Sequence, residues 1–82
     1  MDDKYIMDII ISTVREMFDL ETMELSEVTG PNDIGDWDSI AQIRILLLLE
    51  REFGIKFDVE KIGTLSTLGD IFKAVKLAIN ER

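Results

Sequence analysis

Residues 37–54 read WDSIAQIRILLLLEREFG, and the reading of this stretch decides the fold. It opens on Asp38 and Ser39, residue types favoured at helix N-caps. It closes on Gly54, which suits the left-handed position that ends a helix. Between them Ile40, Ile43, Leu46, Leu47, Leu49 and Phe53 spread over a wide apolar arc. The pattern predicts a helix from Asp38 or Ser39 to about Phe53, central in the fold and touching both neighbours. Ser39-x-x-Gln42 has the form of a capping box, in which hydroxyl and amide satisfy orphan backbone donors.

Upstream, residues 19–37 lose periodicity. Gly30-Pro31-Asn32-Asp33 and Gly35-Asp36 are turn signals, and Leu20, Leu25, Val28 and Ile34 are expected to pin this loop to the bundle. Loops of this length in small domains tend to be functional. Before it, Ile6, Ile9, Ile10, Val14, Met17 and Phe18 recur at three- and four-residue spacing and predict a helix from Asp3 to Phe18. Downstream, a short element is expected over residues 58–62, ended by Gly63. A last helix begins near Thr67, where Thr67-x-x-Asp70 is a second capping pattern. Leu68, Ile71, Phe72, Val75 and Ile79 form its stripe, while Lys73, Lys76 and Arg82 suit its negative end. The fold class is all-α: a single domain over residues 1–82, a four-helix bundle of three main helices and one short one.

Composition narrows the chemistry. The 82 residues include no cysteine and no histidine, so there is no disulfide, no thiol nucleophile and no imidazole base. Serine–histidine catalysis is excluded. The net charge of −8 is uneven: residues 1–38 hold eleven acids against Lys4 and Arg15, and residues 39–82 hold six acids against seven bases. That balance disfavours nucleic acid and anionic membranes and favours basic protein partners. The acidic start, Met1-Asp2-Asp3-Lys4, does not have the form of a signal peptide. The longest apolar run, Ile45 to Leu49, is far short of a membrane span. The expectation is a soluble, cytoplasmic monomer without membrane insertion.

Two places could hold chemistry. Asp33, Asp36 and Asp38 fail as a calcium loop, because counting from Asp36 puts Ile40, Ala41 and Leu47 at positions five, six and twelve. Weak divalent binding stays open there, and no metal centre is expected. The other place is Trp37-Asp38-Ser39-Ile40, where loop meets helix. Asp and Ser there serve either as a plain helix cap or as a site for phosphate, because a hydroxyl at a helix N-terminus lies among free N–H groups.

At these residues the chain resembles the acyl carrier proteins and related phosphopantetheine carrier domains. The hallmark, Asp-Ser-Leu after a glycine-containing loop, is matched by Ile34-Gly35-Asp36-Trp37-Asp38-Ser39-Ile40, with Ile40 in place of leucine. The likeness continues through Leu49-Glu50-Arg51-Glu52-Phe53, Phe57-Asp58 and Thr67-Leu68, over essentially the whole chain. The resemblance implies a free-standing, non-catalytic carrier with 4′-phosphopantetheine, derived from coenzyme A, joined to Ser39. It implies that Asp38 supports the phosphopantetheinyl transferase step and that acyl-loading and acyl-processing enzymes are partners. Trp37, Ile40, Ile43 and Arg44 are then recognition residues, and Ile43, Leu47 and Ile62 line the space for the acyl cargo between the second and third helices. It also accounts for the missing thiol, which arrives with the cofactor.

Ala41 and Arg44 stand where housekeeping fatty-acid carriers carry acids, and Arg51 follows. The chain therefore looks more like carriers of specialised, polyketide-type pathways than like the fatty-acid carrier. An aminoacyl or peptidyl carrier, such as a D-alanyl carrier, and an unmodified helical interaction module are the alternatives.

Overall fold

The computed structural model describes residues 2–81, the side chains of residues 59 and 61 excepted. Its elements are α1 (Asp3–Phe18), α2 (Ser39–Phe53), the single turn α3 (Val59–Ile62) and α4 (Leu68–Glu81). Among the described residues there is no strand.

The two narrow stripes fold as their spacing requires. Ile6, Ile10 and Val14 of α1 meet Leu68, Ile71 and Val75 of α4, all buried. Each such side chain contributes about 1.5–3 kcal/mol on leaving water. Asp3 Oδ1 lies 3.0 Å from Lys76 Nζ and ties the start of α1 to α4. Lys76 is therefore engaged with α1 instead of serving the end of its own helix, and Arg82 lies outside the described residues.

The wide stripe folds differently. On α2 the buried face is Gln42, Ile45, Leu46, Leu49 and Phe53, whereas Ile40, Ile43 and Leu47 are exposed, Leu47 by 54%. The buried arc is thus rotated from the one read in the sequence. The close helix–helix packing is α1 on α2 and α1 on α4, so α1, not α2, is the helix between two neighbours, and one face of α2 is left to solvent. Gly54 ends α2 at φ 64°, the left-handed conformation that glycine adopts without strain.

The loop over residues 19–37 is fastened at both ends. Arg15 Nη1 donates to Leu20 O (2.8 Å) and Met23 O (3.0 Å), which holds the chain as it leaves α1. Ile34 and Trp37 enter the core. Val28, expected to anchor the loop, is 80% exposed, and its neighbour Thr29 is buried instead. The reason lies in the backbone: Glu27 O and Thr29 O accept from Gly69 N (2.8 Å) and Leu68 N (2.9 Å). The loop thereby satisfies orphan donors of α4, and this docking turns Thr29 inward. Gly30 runs so close to the Ser66 carbonyl that a Cβ would collide with it.

At the start of α4, Thr67 Oγ1 accepts from Asp70 N, while Asp70 Oδ2 accepts from the N–H and hydroxyl of Ser66, all at 3.1 Å. The Ser66 N–H, then its hydroxyl, hold the Asp70 carboxyl below its ordinary value of 3.8. A depressed native value means that Asp70 stabilises the fold above pH 3.8 and loses that contribution as pH falls through the lowered value. Asp70→Asn is therefore expected to melt below the wild type at neutral pH, with the gap narrowing in acid. Paired thermal melts from pH 7 downward check this.

Candidate functional site: the loop–helix junction at Ser39

Asp38, not Ser39, is the N-cap of α2. Its backbone is extended, and Oδ1 accepts from Ala41 N at 2.8 Å. A cap of this kind contributes about 0.5–2 kcal/mol. The capping box expected from Ser39 and Gln42 does not form, because Gln42 is turned inward. Its Oε1 accepts from the Trp37 indole N–H at 2.7 Å, and its Nε2 donates to Leu65 O at 2.9 Å and Ile62 O at 3.5 Å. A buried amide needs such partners, and here they bind the segment after α3 to the start of α2.

With the cap supplied next door, Ser39 occupies the first helical position, exposed, and its hydroxyl makes no hydrogen bond within the described residues. The N–H groups of Ser39 and Ile40 likewise have no partner there. Free donors and the positive end of the α2 dipole together favour a phosphate on this oxygen. The residues present therefore fit a phosphodiester at Ser39 Oγ.

A groove of about 460 Å³ opens beside the hydroxyl, with Pro31, Trp37, Gln42, Ile43, Ile62 and Leu65 among its walls. Ile43 and Ile62 both line this groove. Leu47 lines a separate groove of about 1210 Å³ with Arg44, Leu48 and Arg51, because it stands two turns beyond Ser39, about 12 Å along α2. Of the expected recognition residues, Ile40, Ile43 and Arg44 are exposed, while Trp37 is 4% exposed and stacks on Phe18 at 5.8 Å between ring centroids. Trp37 is a core residue whose indole N–H positions Gln42, not a surface for partners. Gln42 is a site residue that the sequence does not reveal, since its spacing from Ser39 assigns the amide to a capping box and its partners lie elsewhere in the fold.

Two of the three carboxylates nearby are already engaged by backbone N–H groups. Asp33 Oδ2 accepts from Gly30 N at 3.0 Å and Asp38 from Ala41 N. Among the described residues no three such groups gather to hold a metal ion, and no helix is long and apolar enough to cross a membrane.

Comparison with known proteins supplies the remaining findings. The family model described as a phosphopantetheine attachment site matches residues 9–75. No curated protein matches the chain. The fold is similar to the solution structure of a holo acyl carrier protein from Geobacter metallireducens, with TM-score 0.80, 28% identity, and coverage of 92% of this chain and 86% of that one. It is also similar to the crystal structure of an acyl carrier protein from Thermotoga maritima, with TM-score 0.83 over 99% of this chain and 94% of that one. Identity there is 21%, so this second likeness bears on the fold alone.

Proposed function

The chain belongs to the phosphopantetheine attachment-site family, and from that premise we propose that Ser39 Oγ is the atom that bears the arm. The protein is a non-catalytic carrier whose prosthetic group is 4′-phosphopantetheine. When bound, that group supplies the terminal thiol on which an acyl chain is held as a thioester. The observation that carries the assignment is the Ser39 hydroxyl, exposed at the first turn of α2 and free because Asp38 does the capping.

The chain's own residues divide the work. Ser39 offers the oxygen, the first-turn N–H groups of α2 face the phosphate, and Asp38 supports the transferase step. Ile43 and Ile62 line the groove that shelters the arm's cargo, with Gln42 holding its far wall in place. Ile40, Ile43 and Arg44 meet the transferase and the acyl-loading and acyl-processing enzymes. The turn α3 acts as the fourth helix of the bundle, and the protein works as a cytoplasmic monomer with one domain. Ala41, Arg44 and Arg51 in place of acids favour a specialised, polyketide-type pathway over fatty-acid synthesis.

Incubation with coenzyme A and an active phosphopantetheinyl transferase tests the reading. Intact-mass spectrometry is expected to show one added arm, and peptide mapping is expected to find it on Ser39. An unchanged mass, or an arm on another serine, overturns the assignment.

A further inference from the structure

The exposed face of α2 combines apolar and basic side chains. Ile40, Arg44, Leu47 and Arg51 follow one another at spacings of four, three and four, which aligns them along the side of the helix opposite its buried residues. Ile43 and Leu48 flank this ridge and are also exposed. Among the described residues neither Arg44 nor Arg51 forms an ion pair or hydrogen bond. The acids of α2 lie off the ridge: Glu50 accepts from Phe57 N at 2.8 Å, and Glu52 is next to the buried Phe53. In a chain of net charge −8, the ridge that leads away from Ser39 is therefore apolar and basic.

We infer that this ridge docks a protein partner whose own face is acidic around an apolar slot, an inference that rests on the carrier reading above and names the chemistry of its partner. Arg44 shares a groove with Asp19, Asp36 and Asp38, but guanidinium groups that form no ion pair among the described residues are suited to bidentate pairing with a partner's acids. The exposed isoleucine and leucine side chains supply the apolar centre that such a face covers. A phosphate-rich surface, whether nucleic acid or membrane, is opposed by the surrounding negative charge. A second copy laid ridge to ridge is opposed by the arginines meeting like charge.

The test uses the full chain with its arm loaded and verified by mass. Two synthetic helical peptides with the same leucine stripe, one flanked by glutamates and one by lysines, are titrated into isotope-labelled protein. The glutamate peptide is expected to shift the amides of Ile40, Arg44, Leu47 and Arg51 and to bind roughly tenfold or more tightly than the lysine peptide binds there. The double variant R44E/R51E should reverse that preference, and Leu47→Ser, at a half-exposed position that tolerates the change with the chain still folded, should weaken both peptides. Equal binding of the two peptides at the ridge overturns the inference, as does a charge reversal without effect. Amide shifts on α2 upon simple concentration, without peptide, overturn it in favour of a second copy. An arm that loads while the ridge stays silent sinks this inference alone; a chain that never loads sinks the carrier reading, and the same titration on that unloaded chain then decides the ridge separately.

Discussion

Ser39→Ala is expected to accept no arm at all while keeping the stability of the wild type. The separation of the two effects comes from Asp38. Had Ser39 been the cap, its removal would cost about 0.5–2 kcal/mol. Because the Asp38 carboxylate occupies Ala41 N, the serine hydroxyl has no structural task, and its loss should stay within about 0.5 kcal/mol, as for other exposed positions. The measurement is a pair of readings on one sample: intact mass after transferase treatment, and the urea midpoint. A variant that loads would remove Ser39 from the function. A variant that folds poorly would show the serine holding the junction together.

Leu49→Ala should be strongly damaging, costing about 2–5 kcal/mol through lost transfer energy and the cavity left behind. Leu49 is fully buried. A domain of this size has about 4–12 kcal/mol to lose, from about 0.05–0.15 kcal/mol per residue, so the variant would lose a large share of its stability. Leu47→Ala is the control. It is the same chemistry two residues away on the exposed side, and it should cost less than about 1 kcal/mol. Chemical denaturation of both variants checks the helix orientation directly: equal losses would mean that the face of α2 described above is wrong.

That orientation is where the sequence was least legible. The stripes of α1 and α4 are narrow, so spacing alone picks out Ile6, Ile10 and Val14, and Leu68, Ile71 and Val75. On α2, Ile45 to Leu49 are apolar in succession, and an apolar run that goes round the helix carries no phase. The choice was made by Gln42, whose burial depends on the Trp37 indole and on two carbonyls twenty and twenty-three positions along the chain. A one-dimensional pattern does not contain those partners. Val28 and Thr29 illustrate the same limit in the loop, where hydrogen bonds to α4 decide which of the two faces in. At the site, Asp38 and Ser39 are both good caps, so local preference leaves the capping residue undecided. Ser39 was marked by its likeness to a family, and geometry supplied the reason its hydroxyl is free.

Trp37 is the chain's only tryptophan. It lies in the wall of the groove beside Ser39, bonded to Gln42 and stacked against Phe18. The emission of this indole is therefore set at the spot where an arm and its cargo would lie, and Tyr5 is the only tyrosine. The molecule has its own optical gauge, and whatever enters or leaves that groove changes the surroundings of the one fluorophore that reports on it.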